Sequence, residues 1–274
     1  MPPMGLMPAP PPLCSSVRAF FWRDLRHSAA GSSRLTRVPP SPYAGIIWLT
    51  RGASELRECG GRELQAPLPA ISLSGAHRSD FLSESSAEGD SFCLAFQPGA
   101  LALLAGLDMS AFTDRVVPAH DALPASWSNW LLAVHVAPDH AHRIALCQAF
   151  LTPRWLALEQ EHAAWLNAMA CGWGRDARAE LAQVLGWSPR HLQRMTRLRT
   201  GLRPGEVERM LRAEKALLQM RDADASALDA ALAQGYTDQS HFTREARTLY
   251  AHPPQALKQH TRQPAGDADW LLRR

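Results

Sequence analysis

The spacing of apolar positions divides the chain into two parts of different texture. From Phe20 to about Gln97, short apolar runs are separated by Gly, Pro and Ser, which is typical of β-strands. The clearest runs, each predicted to be a strand, are residues 44–50, 70–74 and 91–96. Apolar residues at helical spacing then fill residues 99–107 and 126–170. Within the second stretch we expect Pro153 to interrupt a helix, because proline lacks the N–H of the helical hydrogen bond.

The last third of the chain carries a degenerate internal repeat. Residues 182–188, AQVLGWS, return 49 positions later as residues 231–237, ALAQGYT. In each copy the Gly permits the positive φ of a tight turn, and Ser or Thr can cap the next helix. This is the pattern of a helix-turn-helix motif. The helices that it predicts are 176–185, 189–198, a long helix 204–220, 225–234 and 238–249.

These patterns predict an α+β N-terminal domain, β-rich and then helical, followed by an all-α C-terminal domain. The C-terminal domain has two helix-turn-helix motifs joined by a long helix. The predicted divisions are a disordered Pro-rich tail at 1–17, an N-terminal domain at 18–170, the double motif at 171–263 and a second tail at 264–274.

Charge is distributed unevenly along the chain. The whole chain has a net charge of only +3, which by itself identifies no partner. Residues 173–262, however, hold 15 Lys and Arg against 10 Asp and Glu, so the basic excess belongs to the segment with the repeat. Most of these cations are Arg, whose planar guanidinium suits phosphate and guanine.

Several classes of protein are disfavoured by what the sequence contains. The five cysteines are scattered without C-x-x-C spacing, so we expect reduced thiols rather than disulfides or a zinc finger. The start of the chain lacks the basic and apolar regions of a secretory signal, and we expect a cytoplasmic protein without membrane contact. His135, His140 and His142 lack the spacing of a metal site. We therefore expect no metal, no cofactor and no enzymatic activity.

A longer ordered pattern surrounds the repeat. The first copy continues as residues 189–194, PRHLQR, the second as residues 238–244, DQSHFTR, and the pattern ends at Pro253-Pro254. It resembles the DNA-binding domain of the AraC/XylS family of bacterial transcriptional regulators. Residues 96–100, FQPGA, and 113–117, TDRVV, resemble the sensor halves of some members.

The resemblance implies that the second helix of each motif enters a major groove of DNA. Arg can read guanine there and Gln can read adenine. The candidates for base contact are Arg190, Gln193, Arg194, Gln239, Ser240, His241 and Arg244. For Ser240, a role in the cap of the helix is as well supported as a base contact. The candidates for phosphate contact, which lie beyond the base-reading turn, are Arg197, Arg199, Arg247 and Lys258.

Some positions depart from the family pattern. The family usually carries Phe where this chain has Thr196 and Ala246, and Gly where it has Ala251. Two outcomes stay open: Trp187, Tyr236 or Leu249 fills the space, or the recognition helices are underpacked. We expect Thr196→Phe to be stabilising or neutral and Ala246→Phe to be tolerated less well.

The resulting hypothesis is a sequence-specific regulator of transcription that binds double-stranded DNA. Its N-terminal domain would sense a small-molecule effector or form a homodimer, and RNA polymerase would be a partner if the regulator is an activator. The alternative is a ligand- or protein-binding module whose degraded second repeat no longer reads DNA. Activation and repression stay open at this point.

Overall fold

The computed structural model describes residues 4–27, 34–170 and 173–262. Its strands are β1 (Met4–Pro8), β2 (Val17–Asp24), β3 (Leu35–Val38), β4 (Gly45–Arg51), β5 (Ser54–Cys59), β6 (Arg62–Pro67), β7 (Ile71–Ser74), β8 (Phe81–Ser85), β9 (Asp90–Phe96) and β10 (Val116–Pro118). Its α-helices are α1 (Ala100–Ala105), α2 (Ala119–Ala122), α3 (Ser128–Val136), α4 (His140–Glu159), α5 (Ala163–Ala170), α6 (Arg175–Val184), α7 (Pro189–Thr200), α8 (Pro204–Asp222), α9 (Ala227–Ala233), α10 (Gln239–Tyr250) and α11 (Pro254–Arg262).

The strands form two antiparallel sheets. One has the order β1-β2-β9-β4-β7-β10 and the other the order β3-β8-β5-β6. In the larger sheet, β9 lies between β2 and β4, and Leu94 is opposite Phe20 on one side and Ile46 on the other. These three side chains are fully buried in a core shared with helices α1, α3 and α4. Trp48 joins the layers, because its indole N–H donates to the carbonyl of Leu131 at 3.0 Å.

The opposite face of the larger sheet meets the smaller sheet. Leu56, Leu68 and Phe81 form a small apolar cluster there, with Ile47 and Leu49 packed against it. Strand β9 therefore has apolar neighbours on both faces. This explains why its sequence, DSFCLAF, is a nearly continuous apolar run.

The prediction of a disordered tail at 1–17 is wrong for residues 4–17. Strand β1 pairs with β2, with Gly5 opposite Trp22, and Leu13 is buried in the core. Proline is tolerated at the end of this strand because β1 lies at the edge of its sheet. The Pro-rich segment therefore forms an edge strand and a turn instead of a disordered tail.

The expectation that Pro153 interrupts a helix is also wrong. Helix α4 continues through Pro153. Leu151 and Trp155, on either side of it, are fully buried, and the Trp155 indole donates to Ser15 Oγ at 2.8 Å. Packing on both sides thus offsets the lost backbone hydrogen bond, whose cost is about 3 kcal/mol.

The C-terminal part has the predicted arrangement, and the fold class is confirmed. Helices α6 and α7 form one motif, α9 and α10 form the other, and α8 joins them. Their core is built around residues such as Leu181, Leu217, Phe242 and Leu257. The predicted tail at 264–274 lies outside the described residues, as does the division at Cys171-Gly172.

Candidate nucleic-acid interface

Helix α7 begins at the predicted cap. The backbone N–H of His191 donates to Ser188 Oγ at 3.2 Å, and Pro189 occupies the first helical position, where no N–H is needed. Leu192 and Thr196 point into the core. The opposite face is exposed along the whole helix and carries Arg190, Gln193, Arg194 and Arg197.

This exposed face lines an open groove between α6, α7 and the start of α8. The side chains that the structure brings together here are Arg178, Arg190, Gln193, Arg194, Arg197, Arg203, Glu206 and Arg209. Six are arginines and one is a carboxylate, and Arg178 is paired with Glu208 at 2.6 Å. The surface is therefore strongly basic and can receive a polyanion.

Arg203 and Arg209 were not among the predicted site residues. They enter the groove because the chain turns back directly after α7, through Gly201 at φ 80°, so that the start of α8 lies beside the exposed face. The short connection between Gly201 and Pro204 was the available signal in the sequence.

Helix α10 presents a second, smaller polar face. Its cap is Asp238, which accepts the backbone N–H of His241 at 2.7 Å. Ser240 therefore lies one residue inside the helix and is exposed, as are Gln239 and Arg244, so the capping alternative for Ser240 is wrong. His241 is half-buried, with its ring 5.1 Å from that of Tyr236.

Arg199 does not reach the groove. It is buried, and its guanidinium lies over the ring of Trp165 at 4.7 Å and over that of Trp187 at 5.5 Å. Burial lowers the pKa of Arg199. The prediction of a phosphate contact at this residue is corrected: Arg199 holds the end of α7 against helix α5, because the helical period turns position 199 inward.

The other predicted phosphate contacts lie at different places. Arg247 is exposed in the last turn of α10. Lys258, on α11, makes an ion pair with Asp224 at 2.6 Å. The structure thus leaves Arg247 facing solvent, whereas Lys258 bridges α11 to the segment that follows α8.

The connecting helix α8 is fixed to α10 by a polar network. The Arg212 guanidinium donates to Glu245 at 3.0 Å and lies over the Tyr236 ring at 4.3 Å. The Tyr236 hydroxyl donates to the same carboxylate at 2.8 Å. Burial and the charge of Glu245 raise the pKa of Tyr236, so the phenol stays protonated as a donor. This network sets the orientation of α10 relative to α8.

Of the three positions that depart from the family pattern, Thr196 and Ala246 are buried and Ala251 is exposed. Thr196 is fully buried and its hydroxyl donates to the Leu192 carbonyl at 2.7 Å. Ala246 is fully buried and belongs to the same apolar core as Tyr236, Phe242 and Leu249.

The N-terminal domain contains a cavity of about 360 Å³ between its two sheets. The larger sheet contributes Phe21, Ile47 and Cys93, and the smaller contributes Val38 and Phe81. Cys93 is buried, and burial raises the pKa of its thiol. This volume is within the range of about 300–1,000 Å³ typical of small-molecule sites.

A buried polar cluster joins this cavity to the helix between the motifs. Tyr43 lines the cavity, and its hydroxyl donates to Glu214 on α8. Arg18 makes an ion pair with Glu214 and donates to the Tyr43 hydroxyl at 3.1 Å. Burial opposes the charge of Arg18, but Tyr43, Glu214 and Tyr250 together raise its pKa. The cluster therefore couples strands of the N-terminal domain to α8.

A second contact joins the domains at the end of α7. Thr113 Oγ1 donates to the Gly201 carbonyl at 2.8 Å. A Cβ atom at Gly201 would collide with Thr113 and with the carbonyl of Met109. Only glycine therefore fits this approach of α7 to the N-terminal domain.

Of the helices described, none is both long and apolar enough to cross a membrane. Within the described ranges no three His, Cys, Asp or Glu side chains are grouped so that they could hold a metal ion.

Comparison with known proteins gives two family matches. Residues 181–260 match a helix-turn-helix domain, and residues 6–118 match a domain of unknown function, DUF6597. No curated protein matches the chain.

Similar solved structures include ToxT from Vibrio cholerae with a bound unsaturated fatty acid. It is 12% identical over 82% of this chain and 93% of that chain, with a TM-score of 0.42. A 1.65 Å structure of ToxT from the same organism is 11% identical over 82% of this chain and 97% of that chain, with a TM-score of 0.43.

The helix-turn-helix match covers both copies of the repeat from Leu181 onward. It agrees with the two motifs that the structure places on either side of α8. This part of the chain is therefore a helix-turn-helix domain.

Proposed function

We propose that this chain is a transcription regulator of the AraC/XylS family, and that it binds one asymmetric site on double-stranded DNA by placing α7 and α10 in successive major grooves. The observation that carries this proposal is the exposed face of α7, where Arg190, Gln193, Arg194 and Arg197 line one basic groove. Helix α8 has 19 residues and spans roughly 28 Å, close to the 34–36 Å of one helical turn of DNA.

Base contacts are assigned to the first two turns of each of the two helices. On α7 these are Arg190, Gln193 and Arg194, and on α10 they are Gln239, Ser240, His241 and Arg244. Arg197 and Arg247 lie in the last turn of each helix and are assigned to phosphate. Arg203 and Arg209 join them, because they line the same groove as Arg194.

The N-terminal domain senses a small molecule in this proposal. The cavity between the two sheets supports it, because Tyr43 both lines the cavity and bonds to Glu214 on α8. A ligand that changes the position of Tyr43 would then change the position of the double motif. A homodimer and action in the cytoplasm are further parts of the proposal, as is a contact with RNA polymerase if the regulator is an activator.

Selection of binding sites from random DNA with the full-length protein tests the proposal. The regulator should enrich one asymmetric sequence with two separated blocks of preferred bases. The alternative, a module whose second repeat no longer reads DNA, predicts one short block or none. Enrichment of no sequence at all would contradict the proposal.

A variant pair makes this selection sharper. Arg244→Ala removes a predicted base contact on α10, and Arg221→Ala removes an arginine of α8 that is paired with Asp222. The first variant should lose the second block only, and the second should select the same sequence as the unchanged protein.

A further inference from the structure

The walls of the N-terminal cavity are apolar with a row of small hydroxyl groups. Besides the apolar residues of the two sheets, the lining includes the serines Ser41, Ser54, Ser74, Ser83, Ser85 and Ser91. Among the described residues that line the cavity, Arg23 alone carries a charge. Its guanidinium donates to the Leu35 carbonyl at 3.0 Å and to Thr36 Oγ1 at 2.7 Å.

His77 is a buried polar group in this wall, and one nitrogen of its ring is unbonded among the described residues. Its side chain is only 2% exposed, and Nε2 lies 2.6 Å from Ser74 Oγ. Nδ1 is buried without a hydrogen-bond partner among the described residues. Burial lowers the pKa of His77 to about 4, so the ring is neutral at physiological pH. A neutral imidazole leaves either a donor or an acceptor at Nδ1.

A buried polar atom without a partner costs about 1–3 kcal/mol. The tautomer of His77 decides what would satisfy Nδ1. If Ser74 donates to Nε2, then Nδ1 carries the hydrogen and needs an acceptor; if Ser74 accepts, Nδ1 needs a donor. A hydroxyl group meets either need, because it can both donate and accept. A carbonyl or an ether oxygen meets only the first.

The wall also disfavours a charged ligand. Moving an ion from water into an apolar site is costly unless an opposite charge meets it. The serines and His77 are neutral, and Nη1 of Arg23 donates to the Leu35 carbonyl and to Thr36. The volume of about 360 Å³ lies at the small end of ligand sites.

We propose that the cavity binds a small, uncharged and largely apolar molecule whose hydroxyl group forms a hydrogen bond with His77. This inference rests on the proposed sensing role of the N-terminal domain and specifies its ligand class. The apolar body of the ligand packs between Phe21 and Phe81, and the serines supply secondary hydrogen bonds.

Three probes of one shape test the ligand class on the full-length protein. They are 2-naphthol, naphthalene and 2-naphthoate, which share a ring system and carry a hydroxyl, no polar group and a carboxylate. Saturation-transfer NMR titrations at pH 7 should give the tightest binding for 2-naphthol. Naphthalene should bind up to about tenfold more weakly, the effect of one hydrogen bond, and 2-naphthoate more weakly still.

Two variants of the cavity wall and one surface control test whether the probes bind in the cavity. His77→Phe keeps a ring of similar shape and should reduce the affinity for 2-naphthol to that for naphthalene, with naphthalene unchanged. Ser83→Leu fills the cavity from its wall and should abolish binding of both. Gln65→Leu adds the same side chain at an exposed position of β6 and should change neither.

The probe series decides the matter even if a variant fails to fold. Binding of 2-naphthoate as tight as that of 2-naphthol, or no binding of 2-naphthol at millimolar concentration, would overturn the proposed ligand class. Neither result bears on the proposal of DNA recognition, which the selection from random DNA tests separately. If the protein selects a DNA site but does not bind 2-naphthol, the proposed regulator function stands and the proposed ligand class is wrong.

Discussion

At the scale of single residues, Arg194 and Arg197 differ in how far along α7 they lie. Arg194 is in the middle of the exposed face, and Arg197 is in the last turn. Arg194→Ala should therefore cost about 1–3 kcal/mol at the selected site and relax the preference at one or two base pairs. Arg197→Ala should weaken all sequences alike. Fluorescence anisotropy on selected and scrambled DNA measures both, and equal losses for Arg194→Ala on the two DNAs would refute its role.

A second prediction at this scale concerns Thr196 and Ala246. Both side chains are fully buried, so Phe at either position overpacks the core. The sequence alone favoured tolerance at 196, but the hydroxyl of Thr196 already bonds to Leu192 in a closed site. We expect Thr196→Phe and Ala246→Phe each to lose about 1–3 kcal/mol of unfolding free energy in urea. Thr196→Val, of similar size, is the control, and a more stable Thr196→Phe would reveal an unfilled space.

The sequence was informative about exposed site residues and less so about buried ones. Helical period alone placed Arg190 and Arg194 on one face, because their spacing of four residues needs no tertiary information. The same helical period places Arg199 on the buried face of α7. The prediction of a phosphate contact at Arg199 rested on its charge and not on this position. No pattern in the sequence singles out His77. Its role depends on the contact of its ring with Ser74 and on the cavity between the two sheets.

At the scale of elements, the two recognition helices end in the same backbone conformation with different residues. Gly201 has φ 80° after α7, and Ala251 has φ 59° after α10. A residue with a Cβ is strained in this region. Ala251→Gly should therefore stabilise the protein by about 1 kcal/mol. Thermal unfolding of the variant measures the change, and a loss of stability would show that Ala251 is not strained.

Gly201→Ala is the matched substitution in the opposite direction. It adds the same strain and also a collision with Thr113 and Met109, so it should lose more than Ala251→Gly gains. Equal and opposite changes would mean that the contact between the domains at Gly201 contributes nothing.

Element boundaries were predictable where caps and turns are local. The start of α7 at Pro189 and of α8 at Pro204 agree with the sequence because proline and the preceding residue determine them. The continuation of α4 through Pro153 and the pairing of β1 were not predictable. Both depend on distant partners, Ser15 in the first case and β2 in the second.

At the scale of the whole molecule, the Arg18–Glu214 pair links the two domains. Both side chains are about nine-tenths buried. Glu214→Gln removes the negative charge beside the buried Arg18 guanidinium, so we expect a loss of about 3–5 kcal/mol in urea unfolding. The double variant Arg18→Met/Glu214→Leu should lose less than Glu214→Gln, because no charge is then left unpaired.

The control is Arg178→Met, which breaks a more exposed pair with Glu208 and should cost no more than about 1 kcal/mol. A loss for Glu214→Gln as small as that of this control would mean that the pair does not hold the domains together.

The arrangement of the two domains relative to each other could not be predicted from the sequence. The division between a β-rich and an all-α part was readable from hydrophobic periodicity, because it is a local property. The contact of Tyr43 with Glu214 joins residues 171 positions apart, and no motif marks either of them. The cavity could not be predicted for the same reason, since both sheets must be placed before the gap between them exists.

The central claim is that both motifs read DNA at once. Hydroxyl-radical footprinting of the full-length protein on its selected site tests this claim most directly. We predict two protected patches about 10 bp apart on one face of the duplex, one for α7 and one for α10. Protection confined to a single groove would contradict simultaneous reading by the two helices.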